Sequence, residues 1–117
     1  MNFDDWLAEV PDTIKHDPLW QTAVYRQSLF LGDLAWYDAG KLMQDRRAVS
    51  VADQLYRSVG GISATIAEGY GRLSTKDQAR YYEYSLGSAR EARDWYFKGR
   101  LVLGPAVFEH RLNLLAH

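Results

Sequence analysis

The chain has 117 residues, a length that suits one small domain. Hydrophobic residues make up 47% and charged residues 25%, a composition that indicates a globular protein and excludes a disordered tail. Cysteine is absent, which excludes disulfides, thiolate metal sites and cysteine nucleophiles together. The formal net charge of -1 excludes a chain that is strongly basic as a whole.

No stretch approaches the roughly 18 apolar residues that a membrane-spanning helix needs. Residues 1–5 are acidic at the end where a secretory signal would be basic and then apolar. We therefore expect a soluble, cytoplasmic protein.

Residues 1–17 are expected to form an N-terminal arm, and residues 18–117 a helical domain. Phe3, Trp6 and Leu7 have the spacing of one face of a short amphipathic helix, which Pro11 would end. We expect this arm to dock on its own subunit or on a neighbouring one.

Capping signals mark the helix boundaries of the domain. Asp17 before Pro18 is typical of an N-cap followed by proline in the first turn, and predicts a helix that runs to about Gln44. Serine three residues before aspartate is typical of a helix start, and glycine before proline separates two helices. These later signals are Ser50 with Asp53, Ser74 with Asp77, and Gly104 with Pro105.

Between these boundaries apolar residues recur at helical spacing, and no segment alternates with a period of two. The pattern predicts an all-α protein in which three helices of about 25 residues, joined by short loops, form an antiparallel bundle. The predicted apolar stripes are Trp20, Val24, Leu31, Leu34 and Leu42 in the first long helix, Val51, Leu55, Val59, Ile62 and Ile66 in the second, and Tyr82, Leu86, Ala89, Tyr96 and Leu103 in the third, with Ser85, Ala92 and Gly99 adjoining.

Small residues indicate where two of these helices approach closely. Gly60 and Gly61 fall within the second long helix, where each costs about 1 kcal/mol relative to alanine. The expected partner patch on the third helix is Gly87, Ser88 and Ala89.

The aromatic residues are too many for one narrow helical core. Some rings are therefore expected at a subunit interface, which predicts an oligomer. The rings concerned are Trp20, Tyr25, Phe30, Trp36, Tyr37, Tyr81, Tyr82, Tyr84, Trp95, Tyr96 and Phe97.

The ionisable residues do not form a recognisable active site. A di-iron bundle needs Glu-x-x-His pairs, and no glutamate here has histidine three residues later. The histidines, His16, His110 and His117, lie towards the chain ends, and the serines of the predicted helices have no histidine nearby in sequence. We expect no metal, no cofactor and no enzymatic activity.

The turn after the second long helix contains Gly69 and Gly71. They resemble a phosphate-binding loop, but they follow a helix rather than a strand and lack a Lys-Ser/Thr ending. The favoured interpretation is a helix C-cap with one of the two glycines in a left-handed conformation. Glu68 is expected to form a structural ion pair with Arg57 or Arg72.

Charge is distributed unevenly along the chain. Residues 1–45 carry 3 basic and 8 acidic side chains, whereas residues 46–117 carry 11 basic and 7 acidic ones. Arg72, Lys76 and Arg80 cluster around the loop before the third long helix, and nearby tyrosines could stack on bases.

Acidic residues interleave with these and other cations of the third long helix. Arg93 and Arg100 share a face, and Arg90 is expected to pair with Asp94 one turn later. For a single subunit, a solvated surface with helical ion pairs is therefore the favoured interpretation. A ring of subunits would concentrate one basic patch and favour nucleic-acid binding instead.

Four segments of the second and third long helices resemble a known family. They are residues 54–58, 62–72, 76–77 and 86–91, and they include the motif residues Glu68, Gly69, Gly71, Gly87 and Ser88. These segments are similar to the 23S rRNA intervening-sequence proteins, named after reading frames inserted in bacterial 23S rRNA genes. Relatives include the accessory protein of diversity-generating retroelements, which works with a reverse transcriptase and binds nucleic acid.

The resemblance implies an up-down-up-down four-helix bundle that assembles as a homopentamer around a central channel and has no enzymatic activity. This chain departs from the family in three respects. Thr65 stands where asparagine is usual, the chain is less basic than many relatives, and its fourth helix is short, as in a clipped chain.

The leading hypothesis is a non-enzymatic oligomeric scaffold or accessory factor that associates with RNA or DNA. Arg57, Arg72, Lys76 and Arg80 are the candidates for phosphate contact, and a reverse transcriptase is one candidate protein partner. The alternative is a protein–protein adaptor that binds no nucleic acid. A small-molecule binder or enzyme has the least support.

Overall fold

The computed structural model describes residues 1–116, and these residues form helices and turns without a strand. This confirms the predicted all-α class. None of the described helices has the length and apolar character needed to cross a bilayer. The helices are α1 (Phe3–Glu9), α2 (Asp12–Lys15), α3 (Ala23–Leu42), α4 (Val49–Tyr70), α5 (Thr75–Leu103) and α6 (Pro105–Leu115), with 3-10 turns at Pro18–Gln21 and Arg46–Ala48.

The core lies between α3, α4 and α5. The stripe predicted for α4 is buried except for Val51, which is half-buried, and Leu55 and Val59 are fully enclosed. α5 has 29 residues, a length of about 43 Å, which accounts for the longest dimension of the molecule, 44 Å. Its buried positions are mostly small and lie on one side of the helix: Ser85, Ala92, Tyr96, Gly99 and Leu103.

Two of the predicted apolar stripes are partly wrong. Val24 of α3 and Tyr82 and Leu86 of α5 are exposed. All three line a cavity of about 260 Å³ whose wall includes Leu114 and Leu115, near the end of α6. Because α6 has only 11 residues, it does not cover the part of α5 that carries Tyr82 and Leu86.

α4 and α5 approach so closely that side chains are excluded at two points. A Cβ atom built on Gly61 would lie 2.9 Å from the Ser88 hydroxyl oxygen, and one built on Gly69 would lie 2.8 Å from the Tyr81 Cβ. Real Cβ atoms do not approach other atoms this closely. Since higher numbers on α4 meet lower numbers on α5, the two helices run in opposite directions.

A buried hydrogen bond fixes the register of this helix pair. The Ser85 hydroxyl donates to the Ile62 carbonyl at 3.0 Å. The predicted close approach is confirmed at Gly61, whereas a Cβ at Gly60 or Gly87 would meet nothing within 4 Å.

The predicted continuous helix from Pro18 to Gln44 is wrong. Asp17 caps only a 3-10 turn, where its carboxylate accepts from the Leu19 amide at 2.9 Å. Thr22 is then extended, with φ -80° and ψ 110°, and α3 begins at the next residue.

The other capping predictions have mixed outcomes. Ser50 does not cap α4, because a 3-10 turn capped by Asp45 leads into that helix instead. Hydrogen bonds from Arg47 hold the pKa of Asp45 at about 2. Ser74 does cap α5, accepting from the Asp77 amide at 3.0 Å.

A buried polar cluster ties α6 to α3 and α5. One oxygen of Asp38 accepts from the Tyr96 hydroxyl and from Arg111 Nε, each at 2.7 Å, and its other oxygen accepts from Arg111 Nη2 at 3.1 Å. Burial raises the pKa of Tyr96, and the Asp38 carboxylate adds to this effect, so the phenol keeps its proton as a donor. Gly104, with φ 90°, separates α5 from α6 as predicted.

The N-terminal arm docks on its own subunit. Trp6 is buried, with its ring centroid 6.2 Å from that of Trp20 and 5.4 Å from that of Phe30. Its indole N–H donates to the Asp33 carboxylate at 2.7 Å. Of the two docking sites predicted for the arm, the structure therefore shows the intramolecular one.

Gly60→Ala and Gly69→Ala form a matched pair of substitutions on α4. Gly60→Ala is expected to raise the free energy of unfolding by about 1 kcal/mol, because the new methyl group meets nothing and alanine favours the helix. Gly69→Ala is expected to lower it by about 2 kcal/mol, because the Tyr81 Cβ cannot rotate away. Urea unfolding followed by circular dichroism measures both, and stabilisation by both variants would contradict the close approach.

Asp38→Ala is expected to lower the free energy of unfolding by about 3 kcal/mol, because it leaves the Arg111 guanidinium and the Tyr96 hydroxyl without their acceptor. Asp53→Ala is the control, because it removes only an exposed ion pair with Arg57, whose atoms are 3.9 Å apart. The control is expected to change the same quantity by less than about 0.5 kcal/mol. If urea unfolding shows equal changes in the free energy of unfolding for the two variants, the buried cluster does not hold α6.

Candidate nucleic-acid interface

The loop between α4 and α5 brings together three of the four predicted phosphate-contacting residues. Arg72 lies in this loop, and Lys76 and Arg80 lie one turn apart in the first turns of α5. The cap at Ser74 starts α5 at this point, so the positive end of the helix dipole adds to the cations. We call Arg72, Lys76 and Arg80 the hairpin tip.

Arg72 is held against α5 rather than extended into solvent. Its Nη2 donates to the Tyr81 hydroxyl at 2.6 Å, and its guanidinium carbon lies 4.6 Å from the centroid of the Tyr81 ring. Its backbone carbonyl accepts from the Gln78 side chain at 3.0 Å. These contacts with uncharged groups hold Arg72 in place without neutralising its charge.

The hairpin tip contains no ion pair in the described part of the chain. All three of its cations are exposed, and none has a carboxylate within 4.0 Å. The predicted ion pair of Glu68 is wrong, because Arg72 turns to Tyr81 and Arg57 turns to Asp53.

Arg57 lies apart from the hairpin tip. It is on α4, 13 residues before the end of that helix at Tyr70, a distance of about 20 Å along the axis. Its exposed side chain pairs with Asp53 one turn earlier, at 3.9 Å. Such exposed helical pairs contribute little, so Arg57 can exchange Asp53 for another anion.

The two glycines of the turn do not adopt the predicted left-handed conformation. Gly69 is a buried residue of α4, and Gly71 has φ -79°. α4 ends with the Gly71 amide donating to the Ala67 carbonyl at 3.3 Å. The role of Gly69 is therefore the close approach to Tyr81, and no phosphate-binding loop forms here.

The ion pairs of α5 differ from the prediction. Asp94 pairs with Lys98, four residues later, at 2.6 Å, and not with Arg90. Arg90 and Arg93 are exposed, and within residues 1–116 no carboxylate lies within 4.0 Å of either. Arg100 lies over the Phe97 ring, 3.9 Å from its centroid.

A second exposed feature is the groove between α3 and α4. Trp36 is 62% exposed and Tyr37 68%, and the Trp36 ring meets the Tyr56 ring edge-on at a centroid distance of 5.7 Å. The groove encloses about 620 Å³. We call it the α3–α4 groove, and its main lining residues are Trp36, Tyr37, Gly40, Met43, Val49, Asp53 and Tyr56.

The prediction that some aromatic rings lie outside the monomer core is therefore confirmed. Trp20, Phe30 and Tyr96 are buried, while Trp36, Tyr37, Tyr82, Tyr84 and Phe97 are exposed. Trp20 lies in the 3-10 turn at Pro18–Gln21 and the other rings lie on α3 and α5, which carry both buried and exposed rings, so the type of element does not separate the two sets.

The described residues do not bring together a group of three or more His, Asp or Glu side chains that could hold a metal ion. His16 lies in the turn after α2, His110 lies on α6, and His117 lies outside the described residues. Burial, together with the neighbouring Arg111 guanidinium, lowers the pKa of His110.

Comparison with known proteins assigns the chain to a family. The model of the family described as 23S rRNA-intervening sequence protein matches residues 21–100. No curated protein and no solved structure gave a match. The matched region extends from the start of α3 to the last turn of α5 and includes the hairpin tip. The chain therefore belongs to the family of 23S rRNA-intervening sequence proteins.

Proposed function

We propose that this protein is a non-enzymatic, cytoplasmic scaffold or accessory factor that associates with RNA or DNA. The observation that carries the proposal is the hairpin tip, where three exposed cations have no carboxylate partner in the described structure. Membership of the 23S rRNA-intervening sequence proteins supports it.

We further propose that α3 to α6 form an up-down-up-down four-helix bundle and that five copies assemble into a ring. One hairpin tip offers three phosphate contacts, which is a weak site on a chain of net charge -1. A ring repeats the hairpin tip five times and concentrates positive charge. The α3–α4 groove supports assembly, because large exposed aromatic side chains side by side are unusual on a monomer.

The geometry of the hairpin tip supports phosphate binding there. Lys76 and Arg80 project from successive turns, so they can meet successive phosphates of one strand. Arg72 can add a third phosphate contact through its guanidinium. Because its contact with the Tyr81 ring already restrains its side chain, less conformational entropy is lost on binding. Arg57 would contact a separate part of the nucleic acid, about 20 Å along α4.

The triple variant Arg72→Ala/Lys76→Ala/Arg80→Ala tests the hairpin tip. Fluorescence anisotropy with a labelled structured RNA and a duplex DNA, titrated over a salt series, is the measurement. The slope of log affinity against log salt is expected to fall in magnitude by about 2 to 3, because each lost phosphate contact removes about 0.7 to 0.9.

The control is Arg46→Ala/Arg47→Ala, which removes two exposed cations near the other end of α4. It is expected to leave the slope nearly unchanged. Equal losses of slope per removed charge in the two variants would mean that the whole-chain charge, and not the hairpin tip, governs binding. Absence of binding by the unmodified protein at low salt would sink the nucleic-acid proposal.

The alternative function is a protein–protein adaptor, and the α3–α4 groove is the observation that favours it. A groove of this size with an aromatic lining could receive a helix of a partner, for example a reverse transcriptase. The adaptor alternative predicts a partner complex that survives nuclease and high salt.

The double variant Trp36→Ala/Tyr37→Ala tests whether the α3–α4 groove joins copies of this chain or binds a different protein. Sedimentation velocity is expected to show a pentamer for the unmodified protein and a smaller species for the variant, because each truncation removes a large exposed ring. Tyr84→Ala/Leu101→Ala, which truncates exposed apolar residues of α5, is the control and is expected to stay pentameric. A monomeric unmodified protein would contradict the ring and leave the groove to a different protein.

A further inference from the structure

A cavity between α5 and α6 combines cations with aromatic rings. It encloses about 450 Å³, and we call it the α5–α6 cavity. Its lining residues are Arg90, Arg93, Asp94, Phe97, Phe108 and Leu112. The hairpin tip is separate, because Arg80 precedes Arg93 by 13 residues, about 20 Å along α5.

The charge of the α5–α6 cavity is positive. Arg90 and Arg93 are three residues apart, a spacing that places two helical side chains next to each other. The one carboxylate in the lining, Asp94, is paired with Lys98 at 2.6 Å. Two neighbouring guanidinium groups are thus available to one anion.

The ring of Phe97 is held in place and only partly covered, by Arg100 and Phe108. It meets the Phe108 ring at a centroid distance of 6.1 Å and an interplanar angle of 68°, and it stays 51% exposed. Arg100 lies over the ring and donates to the Phe97 carbonyl at 3.0 Å, yet Arg100 does not line the cavity. The part of the ring that Arg100 leaves exposed therefore offers a fixed aromatic surface to a molecule in the cavity.

We propose that the α5–α6 cavity binds one unpaired nucleotide of a single-stranded nucleic acid. The base stacks on Phe97, and the phosphate binds Arg90 and Arg93. The inference rests on the proposed function and specifies single-stranded nucleic acid as the ligand. The bases of a duplex are stacked inside it and therefore cannot reach a ring in a cavity. An acidic peptide would use the two cations but not the ring, so the ring favours the nucleotide.

The probe is a fluorescein-labelled oligouridylate of about ten nucleotides, compared with an RNA duplex of equal length. Phe97→Leu keeps an apolar side chain of similar size without the ring, and Phe97→Trp keeps a ring. Leu101→Ala is the control, because Leu101 is an exposed apolar residue one turn after Phe97 on α5 and does not line the cavity.

Phe97→Leu is expected to weaken oligouridylate binding about tenfold, whereas Phe97→Trp and Leu101→Ala stay within about twofold of the unmodified protein. Duplex binding is expected to be equal in all four proteins. Arg90→Gln/Arg93→Gln is expected to lower the magnitude of the salt slope for the oligouridylate by about 1.4.

The outcomes separate this inference from the proposed function. If Phe97→Leu binds the oligouridylate as the unmodified protein does, or if only the duplex binds, the inference is overturned while nucleic-acid association stands. If the unmodified protein binds neither probe, both fail. Displacement of the oligouridylate by polyglutamate with equal efficiency from the unmodified protein and from Phe97→Leu also overturns the inference, because the ring then contributes nothing.

Discussion

The close approach of α4 to α5 is the constraint on which the other features of the molecule depend. At Gly69 there is no space for a Cβ, and at Gly61 a side chain would displace the Ser88 hydroxyl. This short distance lets Ser85 reach the Ile62 carbonyl, which sets the register of the two helices. Once the register is set, the outward positions of α5 follow, and they carry Lys76 and Arg80 of the hairpin tip and the two arginines of the α5–α6 cavity.

The position of α6 depends on a different interaction, the buried carboxylate of Asp38. No residue of α6 is fully buried, so apolar packing alone gives this helix a small share of the core. The two-point contact between Arg111 and Asp38 specifies where α6 lies, more than it adds net stability. Because Phe108 is on α6 and faces Phe97, this polar cluster indirectly shapes the α5–α6 cavity.

Some features that depend on neighbouring residues could be predicted from the sequence, whereas most of those that join distant residues could not. The cap at Ser74 and the stripe of α4 are local and were predicted. Pairing of Asp94 with Lys98 was also predictable, because a carboxylate four residues before a cation is the favoured order in a helix. The contact between Asp38 and Arg111 joins residues 73 positions apart, and no spacing rule reaches that far.

The separation of charge in space explains why a chain of net charge -1 can still offer positive sites. The acidic N-terminal arm packs against α3 through Trp6 and its hydrogen bond to Asp33. The cations of the hairpin tip and of the α5–α6 cavity lie instead on α5 and in the loop before it, with Asp94 already paired to Lys98. A polyanion that approaches α5 meets these cations at a few ångströms, whereas exposed charges more than about 10 Å away are largely screened by salt. The proposed binding on this surface would therefore depend on local pairing of charges, for which the net charge of the chain is a poor guide.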